Sequence, residues 1–305
     1  MTDKFAIHGV DAATPLFEAA PAILLAKAGP LFDLEEAASG GTDADAVHDM
    51  RVASRRLREA MRIFRPLYPG RDYRTWYRYA RRVTRALGPV RDADVFVEEI
   101  GRLAAGLGDG GARCVAFMIG YRLGQREHEL DDLNRELARL DLSGGREAFE
   151  KTVRRIRPDA GSGGTLAGFA QQAMRSRVEV LVQAQPAALT EGAVLAQHAL
   201  RIDYKRLRYA LEAFRPCFGE NFSRLHRTLT AFQDTLGELH DAHVFLEMLA
   251  DSERARAATR AGVSSSDAAE VVAALEARAH ERYNAFAALA ERHPAVDVAA
   301  ELLRD

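Results

Sequence analysis

The sequence predicts an all-α protein of antiparallel helices in bundle topology, built from two similar halves. Three observations predict it. Apolar residues recur at three- and four-residue steps through most of the 305 residues, no strand or hairpin pattern interrupts them, and one long segment occurs twice. The first copy is residues 48–66, HDMRVASRRLREAMRIFRP, and the second is residues 198–216, HALRIDYKRLRYALEAFRP, at a constant offset of 150. A second block follows each copy, LGPVRDADVF from Leu87 and LGELHDAHVF from Leu236, at an offset of 149. So little slippage over so long a period points to a duplicated unit.

The elements follow in order. Residues 15 to about 39 form an apolar helix, closed by Gly40 and Gly41. Thr42 or Asp43 caps the basic helix after it, with Thr42 and Asp45 spaced as a capping box. Pro66, Pro69 and Gly70 end that helix, and a third runs from residue 71 to about 87, where Gly88 and Pro89 stop it. Asp92 is placed to open a fourth helix to about residue 107, and after Gly108, Gly110 and Gly111 a long helix covers about 112–140. A short helix at 143–157 precedes PDAGSGG at 158–164, the most linker-like stretch. The second half repeats the plan with helices near 166–190, 194–215, 219–236, 241–261 and 266–292 and a short piece after Pro294. The two halves of the fold are therefore 14–157 and 165–305, joined by short turns as in a bundle.

Composition limits the function. Apolar runs fall short of the roughly 18 to 20 residues a bilayer span needs, and the N-terminus lacks a secretory pattern, so a cytoplasmic protein without membrane contact is expected. Cys114 and Cys217 have no motif spacing and are expected as reduced thiols. Net charge is −2, but residues 46–95 hold thirteen arginines against five acidic residues, a net +8. Residues 196–245 hold seven basic and six acidic residues, a net +1, which leaves −11 on the rest. A local cationic site in an otherwise acidic chain follows.

On a helix of about 100° per residue, His48, Arg51, Arg55, Arg58, Arg62 and Arg65 share one arc, and Met50, Ala53, Leu57, Met61 and Phe64 another. Like charges at these spacings repel, so the ladder calls for carboxylates or an anionic partner. The repeated ladder is His198, Arg201, Lys205 and Arg208. A further stripe, Arg71, Arg74, Arg78, Arg81 and Arg85, lies on the third helix.

VHDMRVASRRLR from Val47, its partner HALRIDYKRLRYALE, and the two LGxxxDAxVF blocks resemble the conserved histidine α-helical domain, the CHAD family. The likeness covers nearly the whole chain. It implies two pseudo-symmetric four-helix bundles enclosing a basic channel or cleft that binds inorganic polyphosphate, in some members on polyphosphate granules. The triphosphate-tunnel enzyme domain that some members carry, with its ExExK motif and many strands, has no counterpart here. The resemblance implies ligands at His48, Arg51, Arg55, Arg58 and Arg62 and at His198, Arg201, Lys205 and Arg208. Arg74, Arg78, Arg81, Arg85 and Arg227 extend the candidate set. Symmetry is broken where Arg62 meets Glu212, and where Arg74, Arg78, Arg81 and Arg85 meet Ser223, Arg227, Thr230 and Asp234. The first-half wall is therefore expected to dominate affinity.

A ladder of arginines suits polyphosphate because their planar forks donate paired hydrogen bonds to phosphate oxygens and every unit of the ligand is alike. His48 and His198 open the ladders and are expected to face the anion, with metal binding as the alternative. HDAH at 240–243 invites the same metal reading, yet it matches Arg91 to Asp94, and arginine cannot replace a ligand; Arg91 and His240 stay as additional anion candidates. Arg56 and Arg206 point away from both stripes and are expected to pair with Asp92 and Asp241. Lys27 and Arg177 match at offset 150 and either extend the site or lie on a solvated surface. Tyr73, Trp76, Tyr77 and Tyr79 are expected to pack in the core rather than stack bases. No catalytic constellation or cofactor motif stands out, so a non-enzymatic polyphosphate-binding module is expected. A nucleic-acid backbone binder is the alternative partner class, a hydrolase of short polyphosphates the second alternative; protein partners are not specified.

Overall fold

The computed structural model describes residues 5, 7–39, 41, 43–140, 145–156 and 164–304. They form α1 (Leu16–Asp33), α2 (Glu35–Ala38), α3 (Ala44–Ile63), α4 (Arg71–Ala104), α5 (Asp109–Leu140) and α6 (Gly145–Val153). Then come α7 (Leu166–Ala188), α8 (Val194–Ala213), α9 (Asn221–Ala250), α10 (Ser252–Arg260), α11 (Ser265–Arg292) and α12 (Ala295–Leu302). No strand occurs among the described residues, so the class is all-α.

The basic helix α3 starts at Asp43, whose carboxylate accepts from the backbone N–H of Asp45 at 3.0 Å and of Ala46 at 2.9 Å. The alternative cap, Thr42, and Gly40 and most of the 158–164 linker lie outside the described residues. Met50, Ala53, Leu57, Met61 and Phe64 are buried along one face, as the period requires.

Two helix breaks expected from sequence are absent. α4 runs unbroken through Gly88 and Pro89, so Asp92 lies inside a helix and caps nothing. α9 likewise runs through Gly237 to Ala250. Packing overrides the breakers: Leu87, Val90, Ala93 and Phe96 are buried in unbroken three-residue steps, and so are Leu236, Leu239, Ala242 and Phe245. The Pro89 carbonyl also accepts from Arg122 Nη2 at 2.9 Å. The expected 241–261 helix is instead the end of α9 and the separate α10, which Asp251 caps through the Arg254 N–H at 2.9 Å.

Helices α1, α3, α4 and α5 pack in sequence, as do α7, α8, α9 and α11, while α3 meets α8 and α5 meets α11. Positions 150 or 149 apart face each other where the halves touch. Pro15 and Thr165 form an isolated antiparallel bridge, with Leu16 N–H donating to Gly164 O at 2.9 Å and Leu166 N–H to Thr14 O at 3.0 Å. Phe64 meets Phe214 edge-on at 5.9 Å between ring centroids, and Phe96 meets Phe245 at 4.9 Å. The main core draws on both halves, and a smaller one gathers Phe96, Ile100, Cys114, Val115, Met118, Phe245, Val263, Val271 and Leu275. Cys114 and Cys217 are free, and burial pushes the Cys217 thiol up to about 11, which leaves it a packing group. No described helix is long and apolar enough to cross a membrane.

Candidate functional site

The crossing of α3 and α8, flanked by α4 and α9, leaves a cleft of about 460 Å³. Arg51, Arg55, Arg58 and Arg62 line it from α3, and Arg201, Lys205 and Arg206 from α8. Against these seven basic side chains stand three carboxylates, Glu59, Asp92 and Asp241. Ser54 and Thr84, hydroxyl to hydroxyl at 2.9 Å, tie α3 to α4 beside it. A second hollow of about 250 Å³ shares Arg55, Arg201, Lys205 and Asp241 with the cleft and adds Gln233, Asp234 and Glu238 of α9.

Few of these cations are neutralised from within. Arg51 Nη2 lies 3.0 Å from Asp92, whose side chain is 63% exposed, a pairing worth little in water. Arg62 shares Glu59 with Arg177, at 3.2 and 2.8 Å, and against the raising effect of burial Arg62 and Arg58 lie near enough to Tyr77 to lower its hydroxyl. Arg55, Arg201 and Lys205 make no ion pair among the described residues. Arg55 lies over the Tyr209 ring at 5.7 Å, and Arg208 over the same ring at 4.8 Å. Burial, reinforced by Arg55, Arg201 and Arg51, drops the Lys205 ammonium to about 7. Burial, with Arg51 behind it, lowers Arg201 against the raising pull of Asp241, while burial raises the Asp241 carboxyl.

His240 lines the cleft and His198 stands behind it, their Nδ1 atoms 3.2 Å apart, so one donates to the other and at least one ring is neutral. Burial, with Arg201 and His198 next, drops His240 to about 4. Burial and Arg91 lower His48, and burial and Arg201 lower His198. Among the described residues no three His, Cys, Asp or Glu side chains group as a metal requires.

The remaining candidates separate by position. Arg74 and Arg78 line a third cavity, of about 650 Å³, with Arg62, Arg65, Arg71 and Tyr77, and Arg62 is common to it and the cleft. Arg81, Arg85 and Arg227 are exposed and line none of these spaces. Arg208 is buried, donating to Glu212 at 2.8 Å and to Gln233 at 2.9 Å. Lys27 lies over the Phe5 ring at 5.9 Å, and Arg177 is committed to Glu59.

The expected Arg56–Asp92 and Arg206–Asp241 pairs do not form. Arg56 Nε meets Glu212 of α8 at 2.6 Å, and Arg206 meets Asp203 of its own helix at 3.3 Å. The expectation treated Asp92 and Asp241 as helix starts beyond the far face; in unbroken α4 and α9 they turn to the cleft instead, and Arg56 faces α8. The sequence reading also passed over Tyr209, Glu59, Asp92 and Asp241 as cleft groups. The matched aspartates of the two DAxVF blocks were the available signal. Of the aromatic group, Tyr73 is buried with its hydroxyl on Met61 O at 2.9 Å, and Trp76 packs on Phe32, Tyr79 and Phe149. Tyr77 lines the third cavity beside the arginines, as does Tyr73.

A family model described as the CHAD domain matches residues 22–250. The structure is similar to the crystal structure of the CHAD domain from the plant Ricinus communis, with a TM-score of 0.66 and 23% identity over 100% of this chain and 97% of that one. It is also similar to PptA from Streptomyces chartreusis, with a TM-score of 0.53 and 18% identity over 96% of this chain and 100% of that one. No curated protein matches it. With most of its length covered by the family model and its helices laid out as in the castor-bean domain, the chain belongs to the CHAD domain family.

Proposed function

We propose that this protein binds inorganic polyphosphate in the cleft between α3 and α8, without catalysis, as a cytoplasmic module that targets polyphosphate or associates with its granules. One observation carries the reading: Arg51 and Arg55 of α3 converge with Arg201 and Lys205 of α8 on a single cleft, and among the described residues Arg55, Arg201 and Lys205 make no ion pair. Such an arrangement repels itself unless an anion enters, and a strand of phosphates supplies one charge after another at arginine forks. The internal repeat supports a cleft built from duplicated halves.

A nucleic-acid backbone would meet the same cations, but Tyr73, Trp76 and Tyr79 spend their rings in packing, which favours a ligand without bases. Binding of long-chain polyphosphate across a salt series tests the proposal. Four to seven neutralised phosphates give a log–log slope of roughly −3 to −5, at about 0.7 per charge for a single strand. An Arg55→Glu, Lys205→Glu double variant is expected to lose at least about a hundredfold in affinity with its helical circular dichroism intact, equivalent to roughly 2.7 kcal/mol. Retained affinity in that variant, displacement by DNA at equal phosphate concentration, or shortening of the chains with Mg²⁺ or Mn²⁺ would each refute the reading.

A further inference from the structure

The two hollows that adjoin the central cleft differ in charge: the charged groups lining one are arginines alone, and in the other three carboxylates offset three cations. Between α3 and α4 the way out passes Arg62 into the third cavity, whose lining holds Arg62, Arg65, Arg71, Arg74 and Arg78 and no carboxylate. Arg74 is held at its mouth by donating to Pro69 O at 2.9 Å, and Arg78 by donating to Thr75 Oγ1 at 3.2 Å. Between α8 and α9 the corresponding hollow sets Asp234, Glu238 and Asp241 against Arg55, Arg201 and Lys205, which it shares with the cleft, and adds no cation of its own. At the position of α8 matching Arg62, Glu212 is buried and closed in by Arg56, Arg208 and His226.

From this contrast we infer that a bound polyphosphate leaves the cleft on one side only, through the first-half cavity lined by Arg65, Arg71 and Arg74, and that this cavity is an outer subsite selecting long chains over short ones. The inference rests on the polyphosphate reading and deepens it. Along α3, Arg51 to Arg62 already spans roughly 16 Å at 1.5 Å per residue. A short oligophosphate fills that length without reaching the outer arginines, whereas a long chain continues onto them. In the other direction, past the shared Arg55, Arg201 and Lys205, its charges would meet three carboxylates and no further cation, so that a chain there gains little beyond the cleft and repels the ionised forms.

The test compares tripolyphosphate with long-chain polyphosphate on the full chain. Arg65, Arg71 and Arg74 are all exposed, so an Arg65→Ser, Arg71→Ser, Arg74→Ser variant is expected to fold. It is expected to weaken long-chain binding at least about tenfold and to flatten the salt slope by about two, while tripolyphosphate affinity stays within about twofold. Arg227→Ser, on the second-half side, is expected to change neither. Equal losses for both probes, no loss for the long chain, or a loss in Arg227→Ser as large as in the triple variant overturns the one-sided path while leaving the cleft intact. A wild-type protein that binds neither probe overturns the polyphosphate reading itself.

Discussion

Arg62 in the first half and Glu212 in the second occupy matched positions on matched helices and do opposite things. Arg62 is exposed, touches both the cleft and the outer cavity, and gives only part of its charge to Glu59. Glu212 is fully buried and accepts from Arg56 at 2.6 Å, Arg208 at 2.8 Å and His226 at 3.0 Å. Since Arg56 belongs to α3, the second half spends this position on holding the halves together. The first half leaves it to solvent and to whatever anion arrives. On the proposed polyphosphate reading, one architecture separates a binding wall from a brace by the sign of one side chain, because an exposed charge costs little to leave open and a buried one must be partnered.

The largest effect that can break this contrast is on stability. Removing one member of a buried ionic cluster strands the others, at about 3–5 kcal/mol, so Glu212→Ala is expected to destabilise by that amount in urea unfolding. Arg62→Ala, at the matched position, is expected to stay within about 1 kcal/mol while weakening polyphosphate binding. Acid separates them further. His226, Arg56 and Arg208 hold the Glu212 carboxyl at about 2 against the raising effect of burial, below its ordinary 4.5. A depressed carboxyl contributes stability that is whole above its unfolded value and lost as pH falls from there through the folded value. Stability is therefore expected to decline between about pH 4.5 and 2, and Glu212→Gln to flatten that decline from an already lower plateau. Equal stability for the two matched variants would remove the distinction between wall and brace.

Much of this division was legible in the chain. The 150-residue offset, the apolar arc ending in Phe64 and the loss of symmetry at Glu212 can all be seen in the letters, because helical period and charge are local properties. What local pattern could not supply was the state of Gly88 and Pro89. Their effect depends on how firmly Leu87, Val90 and Phe96 are packed, which is a tertiary quantity. Misplacing that break made Asp92 and Asp241 look like helix caps and assigned them to Arg56 and Arg206. Arg208 shows the other limit. Its place on the ladder is regular, yet Glu212 one turn later and Gln233 on α9 draw it into the interior. A ladder read in projection cannot tell a cation facing a ligand from one facing a buried acid.

A second contrast, of intermediate size, lies at another matched pair. Arg55 keeps its charge at any working pH, whereas Lys205, faced by Arg51 and Arg55 of α3, Arg201 and Arg206 of α8 and His240 and Asp241 of α9, ionises near 7. A bound polyanion favours the charged ammonium and raises its pKa in the complex. Binding must then draw in a proton above pH 7, and affinity is expected to climb as pH falls from about 8.5 toward 7 and level off below it, by at most about tenfold per pH unit. Calorimetry in buffers of different ionisation heat reads the proton directly. Lys205→Arg, which makes the halves alike here, is expected to abolish both the uptake and the slope, and a slope that survives it would place the proton on another group.

The smallest effect sharpens the boundary of the binding wall. Arg81 and Arg85 continue the stripe of Arg74 and Arg78, and by sequence they are equivalent to them. In the fold they are exposed and outside all three cavities, so they act on the ligand only through the field of the whole face. Screening confines that field to about 8 Å at physiological salt. Arg81→Ser with Arg85→Ser is accordingly expected to weaken long-chain polyphosphate by less than about threefold at that ionic strength, under roughly 0.7 kcal/mol, and not measurably at salt several times higher, where the Debye length shrinks toward about 3 Å. A direct contact behaves differently, since each phosphate neutralised contributes its own share of the salt slope. If the pair lowers that slope as much as Arg74→Ser does alone, then the stripe binds along its whole length and the wall extends beyond the cavities onto the open face of α4.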